Sequence, residues 1–146
     1  MTEINVDIAR RAAAFIQVRR AHETEVAEDY VELIADLIEA DGEARQVDIA
    51  RYMGVSHPTV VKIVHRLQRD GLVTVKPYRS VFLTHRGREM AEESRRRHHI
   101  VLGFLKSLGV SDATAELDAE GVEHHVSEET LRVFERFTKV RHKAVK

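Results

Sequence analysis

Asp29 and Glu32 stand three residues apart in the run EDYVELIADLIE, a spacing that projects both carboxylates from one face of a helix. Far along the chain, DAEGVEHHVS carries Glu120, Glu123 and His124 at i, i+3 and i+4, and His98 lies between the two sets in ESRRRHHIVLGFL. Brought together, four carboxylates and two imidazoles without sulfur are a hard donor set. It suits six-coordinate Mn2+ or Fe2+ better than copper or zinc-thiolate chemistry. Taken singly, each element is ordinary, because an acidic pair on a helix is usually a solvated face and a lone histidine is usually structural. Only assembly in space would make these residues a site.

A second constellation is basic and polar. In ARQVDIARYMGVSHPTVVKIVHRLQRDGLV a short helix over 46–53, a turn at Gly54-Val55-Ser56 and a longer helix over 57–70 precede two β-prone runs, 72–76 and 80–83, around Pro77-Tyr78-Arg79. Helix, turn, helix and hairpin in that order predict a winged helix-turn-helix. Val47, Ile49, Ala50, Val55, Val60, Ile63, Val64 and Leu67 can share a core, which leaves Ser56, His57, Pro58, Thr59, Lys62 and Arg66 for the major groove. Gln46, Lys76, Arg79 and Arg69 are further candidates for DNA contact, and Ser56 is a plausible N-cap. A helical hairpin used only for packing, or a winged helix that binds protein, would use the same spacings.

The elements that must position these residues are almost all helical. Periodicity predicts helices over 6–21 and 25–40, the second with Val26, Tyr30, Leu33, Ile34 and Leu37 as its apolar stripe. Beyond the hairpin it predicts a long helix over 85–108 and shorter ones near 112–120 and 128–138, with Ser111 and Ser127 as candidate caps.

Charge distinguishes the DNA candidate from its packing alternatives. The 146-residue chain has a net charge of −1, yet residues 1–44 carry −7, residues 45–97 carry +7, residues 98–138 carry −5 and residues 139–146 carry +4. A basic middle between acidic flanks suits a polyanionic partner. With 43% apolar residues and only two prolines there is core material and little linker, and the absence of cysteine removes disulfides, thiolate catalysis and zinc fingers together. No apolar run reaches membrane-spanning length and the first residues lack signal-peptide order, so a cytoplasmic protein without a membrane partner is expected.

Taken together, EDYVELIADLIE, the helix-turn-helix, the wing KPYRSVFLT, ESRRRHHIVLGFL and DAEGVEHHVS resemble the manganese-regulator branch of the diphtheria-toxin-repressor family, from residue 25 to about 138. The resemblance implies a mainly α protein with an N-terminal winged helix-turn-helix, a small β-hairpin wing and then an all-helical dimerisation and metal-binding domain. The corresponding division is an N-terminal helical extension at 1–22, the DNA-binding domain at 23–84 and the helical domain at 85–146. It further implies a non-catalytic homodimer that binds double-stranded operator DNA, mainly as a repressor of metal-uptake genes, with Mn2+ as co-repressor at two ions per subunit. Its metal ligands would be Asp29, Glu32, His98, Glu120, Glu123 and His124. His99 and His125 stand beside ligands without matching ligand positions and are expected at the surface or behind the ligands. The family's iron-responsive branch uses sulfur-bearing ligands and often a third, SH3-like domain, features this sequence does not show.

Ligands from both halves would let the metal restrict a hinge and select the spacing at which two recognition helices meet half-sites about 34 Å apart. An iron-responsive regulator, with Fe2+ in the same ligands, is the near alternative. From another class, a dinuclear carboxylate enzyme is disfavoured because paired Glu-x-x-His motifs and HExxH are both missing. A winged-helix sensor of a small organic ligand would leave the six-residue constellation unexplained.

Overall fold

The computed structural model describes residues 3–77 and 80–145, so the expected wing-tip residues Tyr78 and Arg79 lie outside the described residues. Its elements run α1 (Glu3–Asp41), β1 (Ala44–Arg45), α2 (Gln46–Met53), α3 (His57–Arg69), β2 (Val73–Lys76), β3 (Ser80–Leu83), α4 (His85–Ser107), α5 (Asp112–Val122) and α6 (Glu128–Val145). Two units separate in the chain, Ala27–Arg96 and a second made of Met1–Val26 with Arg97–Lys146.

The Ala27–Arg96 unit is the winged helix-turn-helix. Tyr30, Ile34 and Leu37 of α1, Ile49 of α2, and Val60, Val64 and Leu67 of α3 are buried together with Leu72, Val73, Val81 and Leu83. Complete burial of aliphatic side chains of this size contributes about 1.5–3 kcal/mol each. Gly54, at φ 68°, turns the chain out of α2. The Ser56 hydroxyl then accepts from the Thr59 backbone N–H, and Pro58 occupies the first turn of α3, where its missing N–H costs no hydrogen bond. The sheet is antiparallel in the order β1-β3-β2, with Val75 opposite Val81 and Ala44 on the other side of Val81. Thr84 joins wing to helix: its hydroxyl donates to the Gly71 carbonyl and accepts from the Gly87 N–H.

The second unit has its own small core of Ile100, Val101, Ala119 and Leu131, flanked by Leu105, Val126 and a Phe104–Phe134 stack with ring centroids 3.9 Å apart. The Ser127 hydroxyl accepts from the Thr130 N–H at the start of α6, whereas Ser111 precedes α5 without a side-chain cap bond.

Three expectations are corrected here. The two N-terminal helices are one, because His22, Glu23 and Thr24 interrupt the apolar stripe but not the backbone. No Gly or Pro stands between residues 3 and 41, and Thr24 donates to the Ala21 carbonyl within the helix. Val47 and Val55 are exposed rather than in the core. Gln46, Ile49 and Ala50 occupy the inward side of α2, so Val47 points away from it, and Val55 lies in the turn. Val26 is likewise exposed. The short strand β1 had no periodicity to announce it, since two residues are too few to show one.

Candidate metal centre and nucleic-acid face

His98 projects from α4 into a ring of carboxylates. Its Nδ1 lies 2.8 Å from Glu123 Oε2 and 3.4 Å from Glu120 Oε1, and its Nε2 lies 3.2 Å from Glu116 Oε2. Glu116 and Glu120 are one turn apart on α5, and Glu123 follows directly after that helix. Arg97, the neighbour of His98, donates from its guanidinium to the backbone carbonyls of Glu123 and Val126 and thereby holds the turn that carries Glu123. Glu123 is 1% exposed, and its Oε1 is buried without a hydrogen bond, with His124 Nε2 at 3.5 Å. His98, Glu120 and Glu123 can all present ligand atoms within 4.8 Å of one another.

The electrostatics agree with a cation-ready site. Burial pushes the Glu123 carboxyl up to about 7, helped by the negative charge of Glu120 and opposed by His98 and His124. Burial pulls the His98 imidazole down, but the Glu123, Glu120 and Glu116 carboxylates outweigh it, and the net direction is up. A buried carboxylate costly to ionise, beside an imidazole holding a proton against desolvation, is what a bound divalent cation would relieve on both counts.

His124 is also buried, and its ring lies within ligand distance of Glu25 on α1. Asp29 and Glu32 are half-buried on the part of α1 that belongs to the Ala27–Arg96 unit. His99 is exposed on α4, as expected. His125 is half-buried and stands with His22 and Glu25, two residues that the sequence reading did not select. Glu116 and Arg97 were missed as well. Glu116 falls one turn before Glu120, which is a usable signal, but nothing in the spacing of Arg97 shows that it binds carbonyls 26 and 29 residues away.

On the DNA-facing candidate, Ser56, Pro58, Lys62 and Arg66 are exposed, His57 and Thr59 are half-buried, and Lys62 and Arg66 lie one turn apart along α3. Lys76 is exposed on β2, its Nζ 5.0 Å from the Phe82 ring centroid. Gln46 differs from the others: it is 7% exposed at the start of α2, inside the packed side of that helix. His57 Nε2 is buried without a hydrogen bond.

Family models match both parts of the chain. The iron dependent repressor N-terminal DNA binding domain matches residues 22–81, and the iron dependent repressor metal binding and dimerisation domain matches residues 84–143. The chain belongs to the iron-dependent repressor family. Within that family it is 56% identical over 133 residues to the transcriptional regulator MntR of Escherichia coli O6:H1, covering 91% of this chain and 86% of the relative. It is 40% identical over 100 residues to the HTH-type transcriptional regulator MntR of Geobacillus kaustophilus, covering 68% of this chain and 71% of the relative. Among solved structures it is similar to the manganese regulator SloR, with a TM-score of 0.69 at 30% identity over 77% of this chain. It is also similar to a manganese-dependent transcriptional repressor in complex with manganese, with a TM-score of 0.70 at 29% identity over 77% of this chain. The chain spans about half the length of those two structures. Iron-dependent repressors are metal-dependent transcriptional regulators, not enzymes, which removes the dinuclear carboxylate enzyme as an alternative. Among the described residues no helix is long and apolar enough to cross a membrane.

Proposed function

We propose that the chain is a manganese-responsive repressor that binds operator DNA as a homodimer. The observation that carries the metal part is Glu123: a carboxylate 1% exposed, with Oε1 lacking a hydrogen bond, facing His98 and His124 in an all-oxygen-and-nitrogen donor set. The residues fit a hard divalent ion. His98, Glu120, Glu123 and His124 would hold Mn2+, and the family resemblance adds Asp29 and Glu32, with two ions per subunit. Bound metal would supply the positive charge that these carboxylates otherwise lack.

The protein's own groups do the remaining work. Arg97 keeps Glu123 in place through the two carbonyls it binds. Loss of the protons held by Glu123 and His98 opens both as ligands, so metal binding competes with protons. Ser56, His57, Pro58 and Thr59 stand at the N-terminus of α3 for the groove, while Lys62, Arg66 and Lys76 would supply phosphate contacts, with Arg79 a further candidate on sequence grounds. Ligands from the DNA-binding and helical domains, divided at 23–84 and 85–146 with 1–22 as an extension, would make metal occupancy and operator affinity thermodynamically reciprocal.

Operator binding titrated with Mn2+ and, anaerobically, with Fe2+ tests this reading. Tight binding in Mn2+ and weak binding in chelator is the expected result. Equal affinity in both would refute the mechanism, and a response to Fe2+ but not Mn2+ would favour the iron-responsive alternative.

A further inference from the structure

His22, Glu25 and His125 meet within one unit, at the junction of α1 with the turn between α5 and α6. His22 Nδ1 is 2.9 Å from Glu25 Oε2, His125 Nε2 is 3.5 Å from the same oxygen, and the two imidazole rings approach edge to face with centroids 4.7 Å apart. One ligand atom from each can lie within 4.8 Å of the others. None of the three is among the residues assigned to manganese, although Glu25 also lies within ligand reach of His124, which is.

We propose that His22, Glu25 and His125 form a separate divalent-cation site of Zn2+ type that ties the N-terminal part of α1 to the turn following α5. Three features argue for it. The donor set is softer than its neighbour, two imidazoles to one carboxylate against the carboxylate-rich group around Glu123, and imidazole-rich sites favour ions late in the first transition row. The residues come from segments about a hundred positions apart, so helical spacing explains the His22–Glu25 pair but not the arrival of His125 on the same oxygen. A cavity of about 310 Å3, lined by Ala21, His124, His125 and Val126 among others but by neither His22 nor Glu25, adjoins the cluster at His125. It leaves room for water in the remaining coordination positions, as an exchangeable rather than closed site requires.

The charges are consistent with this assignment. Two neutral imidazoles and one carboxylate sum to −1, so a divalent ion leaves a single positive charge at a solvent-accessible edge rather than in the core. Both imidazoles must be neutral to ligate, and each then has one ring nitrogen free for the ion and one for hydrogen bonding. Such an ion would give the extension that precedes the DNA-binding domain a defined anchor.

Zn2+ titration of the full-length apo protein against a chromophoric chelator tests the site. The variants are His22→Gln, His125→Gln and Glu123→Gln, with histidine ring 1H–15N NMR as a second readout. His22→Gln changes an exposed side chain and leaves the core untouched. The expected result is that His22→Gln and His125→Gln each lose one Zn2+ equivalent or weaken it at least tenfold. Mn2+-dependent operator binding of His22→Gln should remain as in wild type, and Glu123→Gln should retain the equivalent. In the NMR spectra the His22 and His125 rings should shift together on Zn2+ addition, and each shift should vanish when the other histidine is replaced. Unchanged Zn2+ stoichiometry and affinity in both histidine variants would overturn the proposal, as would loss of the same equivalent in Glu123→Gln. Failure of the manganese reading would instead appear as an unaltered Mn2+ response in Glu123→Gln, leaving the histidine result to stand or fall separately.

Discussion

Replacing Glu123 by glutamine should stabilise the metal-free protein above neutral pH and abolish its stabilisation by Mn2+. Glu123 is 1% exposed, and its carboxyl is held at about 7 against an ordinary 4.5, chiefly by burial. A folded-state value above the unfolded one means that the folded chain binds this proton more tightly. Stability from the group is therefore complete below about 4.5, declines as pH rises towards 7 and is lost above it. Two to three pH units at 1.36 kcal/mol each amount to about 3 kcal/mol. For a chain of this size that is a Tm difference of about 6–12 °C. The His98 imidazole, also raised, contributes with the same sign, its share present at low pH and lost as pH climbs through its folded value. Glutamine has nearly the shape of the protonated acid and no charge to desolvate, so its stability should change less across this interval. Thermal unfolding of apo wild type and Glu123→Gln from pH 4 to 8.5 measures the difference directly. At pH 8 the apo variant should be the more stable. In Mn2+ at a thousand times the dissociation constant the order should reverse, because wild type gains about 4.1 kcal/mol that the variant cannot. Parallel pH profiles for the two proteins would refute the electrostatic reasoning, and equal Mn2+ stabilisation would remove Glu123 from the ligand set.

Three other substitutions separate reading DNA from holding the fold. Lys62→Ala or Arg66→Ala should weaken operator binding and lower the slope of log affinity against log salt by about 0.9 for each phosphate that is no longer neutralised, while Mn2+ stoichiometry measured by calorimetry stays the same. An unchanged slope would show that the exposed side of α3 does not meet phosphate. Gly87→Ala should destabilise the winged-helix unit by about 1–3 kcal/mol or more in urea unfolding, because an added Cβ would lie 2.1 Å from the Leu72 carbonyl oxygen; wild-type stability would mean that the first turn of α4 can yield.

Much of this protein was legible from local pattern. The helix-turn-helix was announced by Gly54, Ser56 and Pro58, residues whose backbone preferences and capping hydroxyl act within a few positions of themselves. Ile49, Val60, Val64 and Leu67 followed from helical period, and His98, Glu120 and Glu123 from the chemistry of their side chains. Local pattern failed where no local force decides. It divided α1 in two at a polar stretch, although backbone hydrogen bonding is indifferent to side-chain polarity when no Gly or Pro intervenes. It offered Gln46 for DNA contact and put Val47 in the core, whereas Gln46 is buried and Val47 exposed, because the rotation of an eight-residue helix is set by what it packs on rather than by its own short sequence. Residue types and spacing alone determined that this chain could bind a hard cation and a polyanion. Only the tertiary structure decided that Glu123 is buried with a lone pair unclaimed, that Arg97 holds its turn, and that His125 meets His22 and Glu25 from a hundred residues away. Burial and long-range convergence depend on how elements pack, and no window of the sequence contains that information.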